Sequence, residues 1–379
     1  MPGIYIHIPF CRQACHYCNF HFSVSQKRRP EFVKALLKEI VIQKDFLYPD
    51  TNNRVPLDTL YFGGGTPSLL ETAELEKIFN ALHKHFSFSP NAEITLEANP
   101  DDLIPEKLES LRELSVNRLS IGIQSFYEDD LRYMNRSHNS RQAIDVLNYA
   151  QAAGFVNITA DLIYGTPGMS DKQWKQNIMQ LVKSGIPHIS AYSLTVEKKT
   201  ALEVFIRKGK AAPVDDDQSA RQFEILCKIA SQYGYEHYEV SNFGKKGYFS
   251  KHNLSYWSGE PYLGLGPSAH SFTPGVRQWN LANTCKYIDS LKLGKISAQK
   301  EVLTHEQQYN EYVMTSLRTM WGVDENLVKL RFGDKYYKGM IRSAQKYIDN
   351  GKLVLSDGRL KVSQKGMFFA DGIAADLFA

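Results

Sequence analysis

Short apolar runs alternate with longer amphipathic stretches over the first half of the chain, and this alternation constrains the fold most. The strand candidates are rich in β-branched and other apolar residues, and they are 3–8, 58–63, 92–98, 118–123, 157–165 and 188–194. The segments between them repeat apolar residues at helical spacing. Such units predict parallel strands joined by helical crossovers, which a doubly wound sheet and a partial (β/α) barrel both contain.

Polar side chains collect at the ends of these predicted strands. "CRQACHYC" follows the first strand and "GGGTP" the second, and the later strand ends carry Glu97, Asn99, Gln124 and Asp161. Turn formation explains isolated glycines, but it does not explain acidic and amide side chains placed in or just after apolar strands. In a parallel barrel these positions converge on one mouth, where active sites are built. We therefore predict an α/β fold with a partial (β/α)6 barrel.

The rest of the chain predicts two further parts. Residues 241–299 are rich in Gly, Ser and aromatics without clear periodicity, and we expect them to connect the barrel (residues 1–240) to a terminal domain. Residues 300–379 return to a helical pattern and end in two short alternating runs around an Asp-Gly turn. This order predicts a small, mostly helical, winged-helix-like domain. It lacks a basic recognition helix, so DNA binding is the weaker interpretation of that shape.

Composition excludes several classes of protein. The net charge of +4 over 379 residues is mild and the basic residues are scattered, which gives no case for nucleic acid. No apolar run approaches the roughly 20 residues of a membrane span. The start lacks the basic segment and cleavage site of a secretory signal, and the five cysteines are an odd number. We expect a cytoplasmic protein with reduced thiols.

Three cysteines, Cys11, Cys15 and Cys18, lie on one loop with the spacing C-x3-C-x2-C. Thiolates are the standard ligands of [4Fe–4S] clusters, and three of them leave one iron free to bind another molecule. Zinc is the alternative, with a neighbouring histidine as the fourth ligand; the candidates are His7, His16 and His21. Zinc sites usually pair two such short motifs, and no second pair exists here. The spacing therefore favours the cluster.

The motifs around this loop resemble a known family. "YIHIPFCRQACHYCNF", "FGGGTP", "RLSIGIQSF" and "DLIYGTPG" are similar to the radical S-adenosylmethionine (SAM) superfamily. More narrowly, they resemble the HemN/HemW branch, which holds oxygen-independent coproporphyrinogen III dehydrogenases and haem chaperones. The resemblance covers essentially the whole chain, because the terminal domain is also similar to the C-terminal domain of that branch.

The resemblance implies a cofactor site at the barrel mouth. Cys11, Cys15 and Cys18 would bind three irons of a [4Fe–4S] cluster, and SAM would chelate the fourth iron. The residues that the resemblance assigns to the SAM pocket are Tyr5, Gly64, Gly65, Thr66, Glu97, Gln124, Arg136 and Asp161. Carboxylates suit an amine, a sulfonium and ribose hydroxyls, and arginine suits a carboxylate. Ala191 and Tyr192 would line the adenine site.

Two features separate the chaperones from the dehydrogenases of this branch. The dehydrogenases carry a further cysteine two positions after the third, where this chain has Phe20, and they have a longer segment before the first strand. "KHNLSYW" also matches the H-N-x-x-Y motif of the chaperones, with His252 and Tyr256 implicated in haem binding. Imidazole is a good haem ligand, although a lone histidine more often bonds within its loop. His270 is a second candidate ligand.

The leading hypothesis is therefore a haem chaperone that delivers haem to acceptor proteins and carries a [4Fe–4S] cluster and SAM. The alternative is an enzyme that catalyses the oxidative decarboxylation of coproporphyrinogen III. A SAM-dependent methyltransferase acting on haem is a third and weaker hypothesis. The sequence leaves open whether SAM is cleaved, which protein accepts haem, whether the chain is a monomer or a dimer, and whether it associates peripherally with a membrane.

Overall fold

The structure is a computed structural model that describes residues 1–48 and 55–379. Within these ranges a run of parallel strands lies side by side in chain order, and its members are β1 Gly3–Ile8, β2 Leu57–Gly64, β3 Phe88–Ala98, β4 Arg118–Gln124, β5 Asn157–Tyr164 and β6 His188–Ser193. All the predicted strands are present, and β3 begins earlier than predicted. Because the strands are parallel, their carboxyl ends share one edge.

Helices connect these strands and cover their outer face. They are α1 Arg29–Ile42, α2 Thr72–His85, α3 Pro105–Glu113, α4 Glu128–Met134, α5 Ser140–Ala152 and α6 Asp171–Lys183. Capping boxes fix the starts of α5 and α6, where Asn139 pairs with Gln142 and Ser170 with Gln173. Trp174 of α6 is fully buried against the sheet. The predicted α/β fold with its partial radical-SAM-type barrel is confirmed.

The sheet continues beyond both ends of the predicted barrel. The elements that follow β6 are α7 Ala201–Arg207, α8 Asp216–Gln232, β7 Glu236–Glu239, β8 Asn242–Gly244, α9 Lys251–Trp257, β9 Tyr262–Leu265, β10 His270–Thr273, β11 Val276–Asn280, α10 Thr284–Lys292 and β12 Ala298–Val302. β8 and β7 extend the sheet past β6, and β9 to β12 extend it past β1. We call β9 to β12 the β-extension. Its strands have four or five residues each, too few to show a period in sequence.

The C-terminal domain mixes helices with a small antiparallel sheet. Its elements are α11 His305–Leu317, β13 Val323–Asp324, α12 Glu325–Phe332, α13 Asp334–Asp349, β14 Leu353–Ser356, β15 Arg359–Val362 and α14 Ala370–Asp376. The predicted Asp-Gly turn joins β14 to β15, with Asp357 and Gly358 at φ of 52° and 70°. The domain boundaries at 240 and 299 stay predictions. The β7–β8 hairpin crosses the first boundary, and β12 crosses the second.

A buried carboxylate fastens the β-extension to the barrel. Glu39 of α1 is inaccessible to solvent, and it accepts hydrogen bonds from the Asn280 amide (2.6 Å), the Tyr287 hydroxyl (2.6 Å) and the Gly266 N–H (2.7 Å). These donors come from β11, α10 and the turn after β9. Since an unmade hydrogen bond is costly in the interior, Glu39 holds three separate elements in one arrangement.

We expect Glu39→Ala to destabilise the fold by about 2–4 kcal/mol, because it leaves buried donors of three elements without their shared acceptor. Denaturant unfolding followed by circular dichroism measures the change. Glu76→Ala, at an exposed position of α2, is the matched control and should leave the transition midpoint where it is. Equal midpoints for the two variants would contradict the role of Glu39.

Candidate functional site

The inner face of the parallel strands is polar. Alternate residues of each strand point to opposite faces, and the outward ones pack on the helices. The inward ones carry hydroxyl, carboxyl, imidazole or guanidinium groups, and they include Tyr5, Tyr61, Thr95, Glu97, Arg118, Ser120, Thr159, Asp161, His188 and Ser190. A barrel interior that is only structural is filled with branched apolar side chains. This one has the composition of a binding site.

The cysteine loop closes one side of the barrel mouth. Cys11, Cys15 and Cys18 follow β1, and each thiol is free and half-buried. The Arg136 guanidinium lies 3.3 Å from Cys15 Sγ through Nη1, and its Nη2 donates to the Gly122 carbonyl (3.0 Å) at the end of β4. Burial raises the pKa of the Cys11 thiol to about 12. A cluster bound here would therefore displace protons from the loop.

The histidines of the zinc alternative all bond to other groups. His7 Nε2 pairs with the His21 carbonyl, His16 Nδ1 with the Tyr133 carbonyl and His21 Nε2 with the Thr284 hydroxyl. Within the described residues, no group of three or more His, Cys, Asp or Glu side chains is arranged around a single ion. In a cubane cluster each thiolate binds a different iron. The three cysteines therefore need not surround one point, and only a site for a single metal ion is absent from this part of the chain.

Gly64, the last residue of β2, and Gly65 allow the backbone to pass close to its neighbours at the mouth. Gly64 has a φ of 106°, and a Cβ there would lie 2.5 Å from the His7 ring. A Cβ on Gly65 would lie 2.6 Å from the Phe10 carbonyl oxygen. The N–H groups of Gly64 and Thr66 donate to Glu97 (3.1 Å) and Phe10 (2.7 Å). A methionyl amine is itself a donor, so it would need the carbonyl oxygens of this turn.

Two carboxyl groups lie inside the barrel. Glu97 accepts from the Tyr61 hydroxyl (2.8 Å) as well as from Gly64. Burial raises its pKa to about 7. Asp161 accepts from the Ser120 hydroxyl (3.3 Å), and burial raises its pKa to about 6. Two buried carboxyl groups with raised pKa values in a polar interior make this region a candidate binding site. In their ionised form they would suit a cationic ligand.

Gln124 and Arg136, near the end of β4, show backbone strain and an unpaired buried donor. Gln124, at the end of β4, has a φ of 63°, a region that a residue with a side chain enters at a cost of about 1–3 kcal/mol. Arg136 Nε is buried and has no hydrogen-bond partner among the described residues. A guanidinium with a spare buried N–H fits an incoming carboxylate. The structure thus brings Arg136, Gln124 and the cysteine loop to one place.

The remaining predicted SAM contacts occupy different surroundings. Tyr5 lies within the barrel, where its hydroxyl bonds His7 Nδ1 at 3.2 Å. Tyr192 is 47% exposed at the end of β6, as an adenine contact at the mouth requires. Ala191 is buried in the apolar layer behind the sheet, so its role in an adenine site would be limited to its backbone.

The H-N-x-x-Y motif lies at the opposite end of the barrel. His252 of α9 is 1% exposed, and its Nδ1 and Nε2 pair with the hydroxyls of Thr59 and Tyr256, both at 2.8 Å. Burial lowers its pKa to about 3, which keeps the ring neutral. Both ring nitrogens of His252 are therefore engaged in hydrogen bonds, as expected of a structural histidine, and neither is free to bind a haem iron. His270, on β10, is exposed and stacks with Trp279 at 6.0 Å between ring centroids.

Sequence reasoning missed a buried polar layer between the mouth and α9. Arg118 forms a hydrogen bond with Thr159 and lies 3.8 Å from the Glu93 carboxylate. His188 bonds the Tyr238 hydroxyl at 2.7 Å. The signal was available, since polar and apolar residues alternate over much of β3, β4 and β5. That alternation predicts a polar interior in addition to polar strand ends.

Comparisons with known proteins identify the domains of this chain. Residues 5–181 match the model of the radical SAM superfamily, and residues 303–369 match the HemN C-terminal domain. The fold resembles the structure of coproporphyrinogen III oxidase (HemN) from Escherichia coli with a TM-score of 0.85, at 21% identity, over 100% of this chain and 90% of that one. The chain thus carries a radical SAM domain followed by a HemN-type C-terminal domain.

Curated relatives narrow the family. The haem chaperone HemW of Bacillus subtilis is 36% identical over 90% of this chain and 88% of its own length. The haem chaperone HemW of Lactococcus lactis is 34% identical, over 97% and 95%. A mitochondrial radical S-adenosyl methionine domain-containing protein 1 of Danio rerio is 29% identical, over 98% and 85%. The chain belongs to the HemW family of radical SAM proteins.

We expect Cys15→Ser to abolish reconstitution of an iron–sulfur centre, because removal of one of three thiolates leaves an iron without a ligand. Visible absorbance together with iron and sulfide content measures the loss. Cys285→Ser is the matched control, since Cys285 is a free thiol far along the chain and exposed. A cluster of normal content in Cys15→Ser would exclude Cys15 as a ligand.

We expect SAM affinity to fall by roughly tenfold or more as the pH drops through about 7 and about 6, the pKa values of Glu97 and Asp161. Above these values the carboxylates are ionised and attract the sulfonium and the amine; below them they take up protons and lose that attraction. Equilibrium dialysis over this range measures the effect. Glu97→Gln should flatten the profile, and an unchanged profile would place the cation elsewhere.

Proposed function

We propose that this protein is a haem chaperone, which binds haem and transfers it to acceptor haem proteins such as those of respiration. The observation that carries the proposal is the similarity to curated proteins named haem chaperone HemW, at 36% and 34% identity over nearly the whole chain. Phe20 supports it, because the dehydrogenases of this branch have a cysteine there. Phe20 is 68% exposed, so packing does not require that side chain.

In this proposal the mouth of the barrel holds the cofactors. Cys11, Cys15 and Cys18 would bind three irons of a [4Fe–4S] cluster and leave one iron to SAM. Once reduced by an external electron donor, such a cluster would supply the electron for reductive cleavage of the SAM sulfonium. The chain would orient the ligands: Arg136 places a positive charge beside Cys15, and Glu97, in its ionised form, would place a negative charge inside the barrel.

The surroundings of the protein are also part of the proposal. None of the helices within residues 1–48 and 55–379 combines the length and apolar character needed to cross a bilayer. We infer a cytoplasmic protein that meets its acceptors there or at the membrane surface. No nucleic acid enters this function, since the net charge of +4 is small and dispersed.

We expect the anaerobically reconstituted protein to bind haem with a shift of the Soret band and to pass that haem to an apo-acceptor. Acceptor activity should then exceed that obtained with the same concentration of free haem, because the carrier keeps haem from aggregating. The same sample, reduced and given SAM with coproporphyrinogen III, is assayed for vinyl product and 5′-deoxyadenosine. Vinyl product without haem binding would reverse the proposal in favour of the dehydrogenase.

A further inference from the structure

A column of aromatic rings runs from the barrel interior to its base. Tyr61, which bonds Glu97, stacks on His252 with 4.9 Å between ring centroids. His252 meets Tyr256 at 4.7 Å, and Tyr256 meets Tyr262 of the β-extension at 4.4 Å. The centroid distances are those of rings in direct contact. The column therefore leads from the mouth to the surface where the β-extension faces the C-terminal domain.

A cavity of about 550 Å³ opens at the lower end of this column. Its walls come from α9, the β-extension, α11 and Arg331 of α12. The wall residues with rings are Tyr256, Trp257, Tyr262, Phe272 and Tyr312. The volume falls within the roughly 300–1,000 Å³ of small-molecule sites, which are typically apolar and aromatic with a few polar groups. Flat rings on several sides suit a flat, apolar ligand.

The polar groups of this cavity are donors on balance. Arg331 donates to the neutral amide oxygen of Gln308 at 3.3 Å, while Arg277 is neutralised by Glu311 (2.9 Å through Nε). Among the described residues, two arginines and one carboxylate are the charged residues that line this cavity, so its lining carries a net positive charge. A ligand with carboxylates would pair with Arg331.

We propose that this cavity is the haem site, with the macrocycle against the aromatic walls and a carboxylate directed to Arg331. The inference rests on the proposed function and deepens it, since it assigns the cargo to the base of the barrel, away from the cysteine loop. It also gives the H-N-x-x-Y motif a division of roles. Tyr256 forms part of the cavity wall. His252 does not line the cavity; it is a positioning residue that holds the Tyr256 hydroxyl through a hydrogen bond.

The test fills the cavity and leaves the rest of the chain unchanged. Thr315 of α11 lines the cavity, whereas the preceding residue, Met314, is exposed on the same helix. We expect Thr315→Trp to weaken haem binding by at least roughly tenfold, a loss of about 1.4 kcal/mol, and Met314→Trp to bind as wild type does. Haem titration followed by Soret absorbance and tryptophan quenching gives both affinities, and cluster reconstitution verifies that each variant folds.

A second pair of variants keeps the test independent of packing. Arg331→Ala should weaken binding of haem and of metal-free protoporphyrin IX alike, and should have no effect on protoporphyrin dimethyl ester, which lacks the carboxylates. Arg342→Ala, at an exposed position of α13, is the control. Wild-type haem affinity in both Thr315→Trp and Arg331→Ala would overturn the cavity assignment and leave the proposed function standing. Failure of the unmodified protein to bind haem would overturn both.

Discussion

The position of β1 between two parallel neighbours is the constraint on which the rest of the structure depends. Hydrogen bonds to β2 on one side and β9 on the other leave β1 no freedom to shift, since a slip of one residue would turn its polar face outward. Its carboxyl end carries the cysteine loop, and its first residue, Gly3, is in register with Tyr262 at the cavity. One six-residue strand thus fixes both candidate sites relative to each other.

The polar interior of the barrel is maintained against a cost in stability. Moving a carboxylate out of water costs several kcal/mol before its hydrogen bonds are counted, and the raised pKa values of Glu97 and Asp161 reflect that cost. Ligands that bring positive charge would offset the cost, so the interior of the barrel suits a cofactor-loaded state better than an empty one.

The sequence was sufficient for the parallel strands, the barrel and the hairpin around Asp357, because each rests on a pattern within a few consecutive residues. It was insufficient for the β-extension, whose strands exist through pairing with partners such as β1, distant along the chain. The strand-end residues were predicted to converge, and the structure brings the Gly64 N–H at the end of β2 within 3.1 Å of the Glu97 carboxylate near the end of β3. The environment of His252 was not predictable, because burial depends on where α9 packs, which no local motif encodes.

The ring column gives His252 two neighbours that belong to different sites. Tyr61 reaches toward the carboxylate of the mouth, and Tyr256 forms the cavity wall, with one imidazole between them. A change of this side chain would therefore disturb both ends of the barrel at once. A histidine held in this way couples the two candidate sites through its packing and hydrogen bonds, whether or not it ever contacts iron.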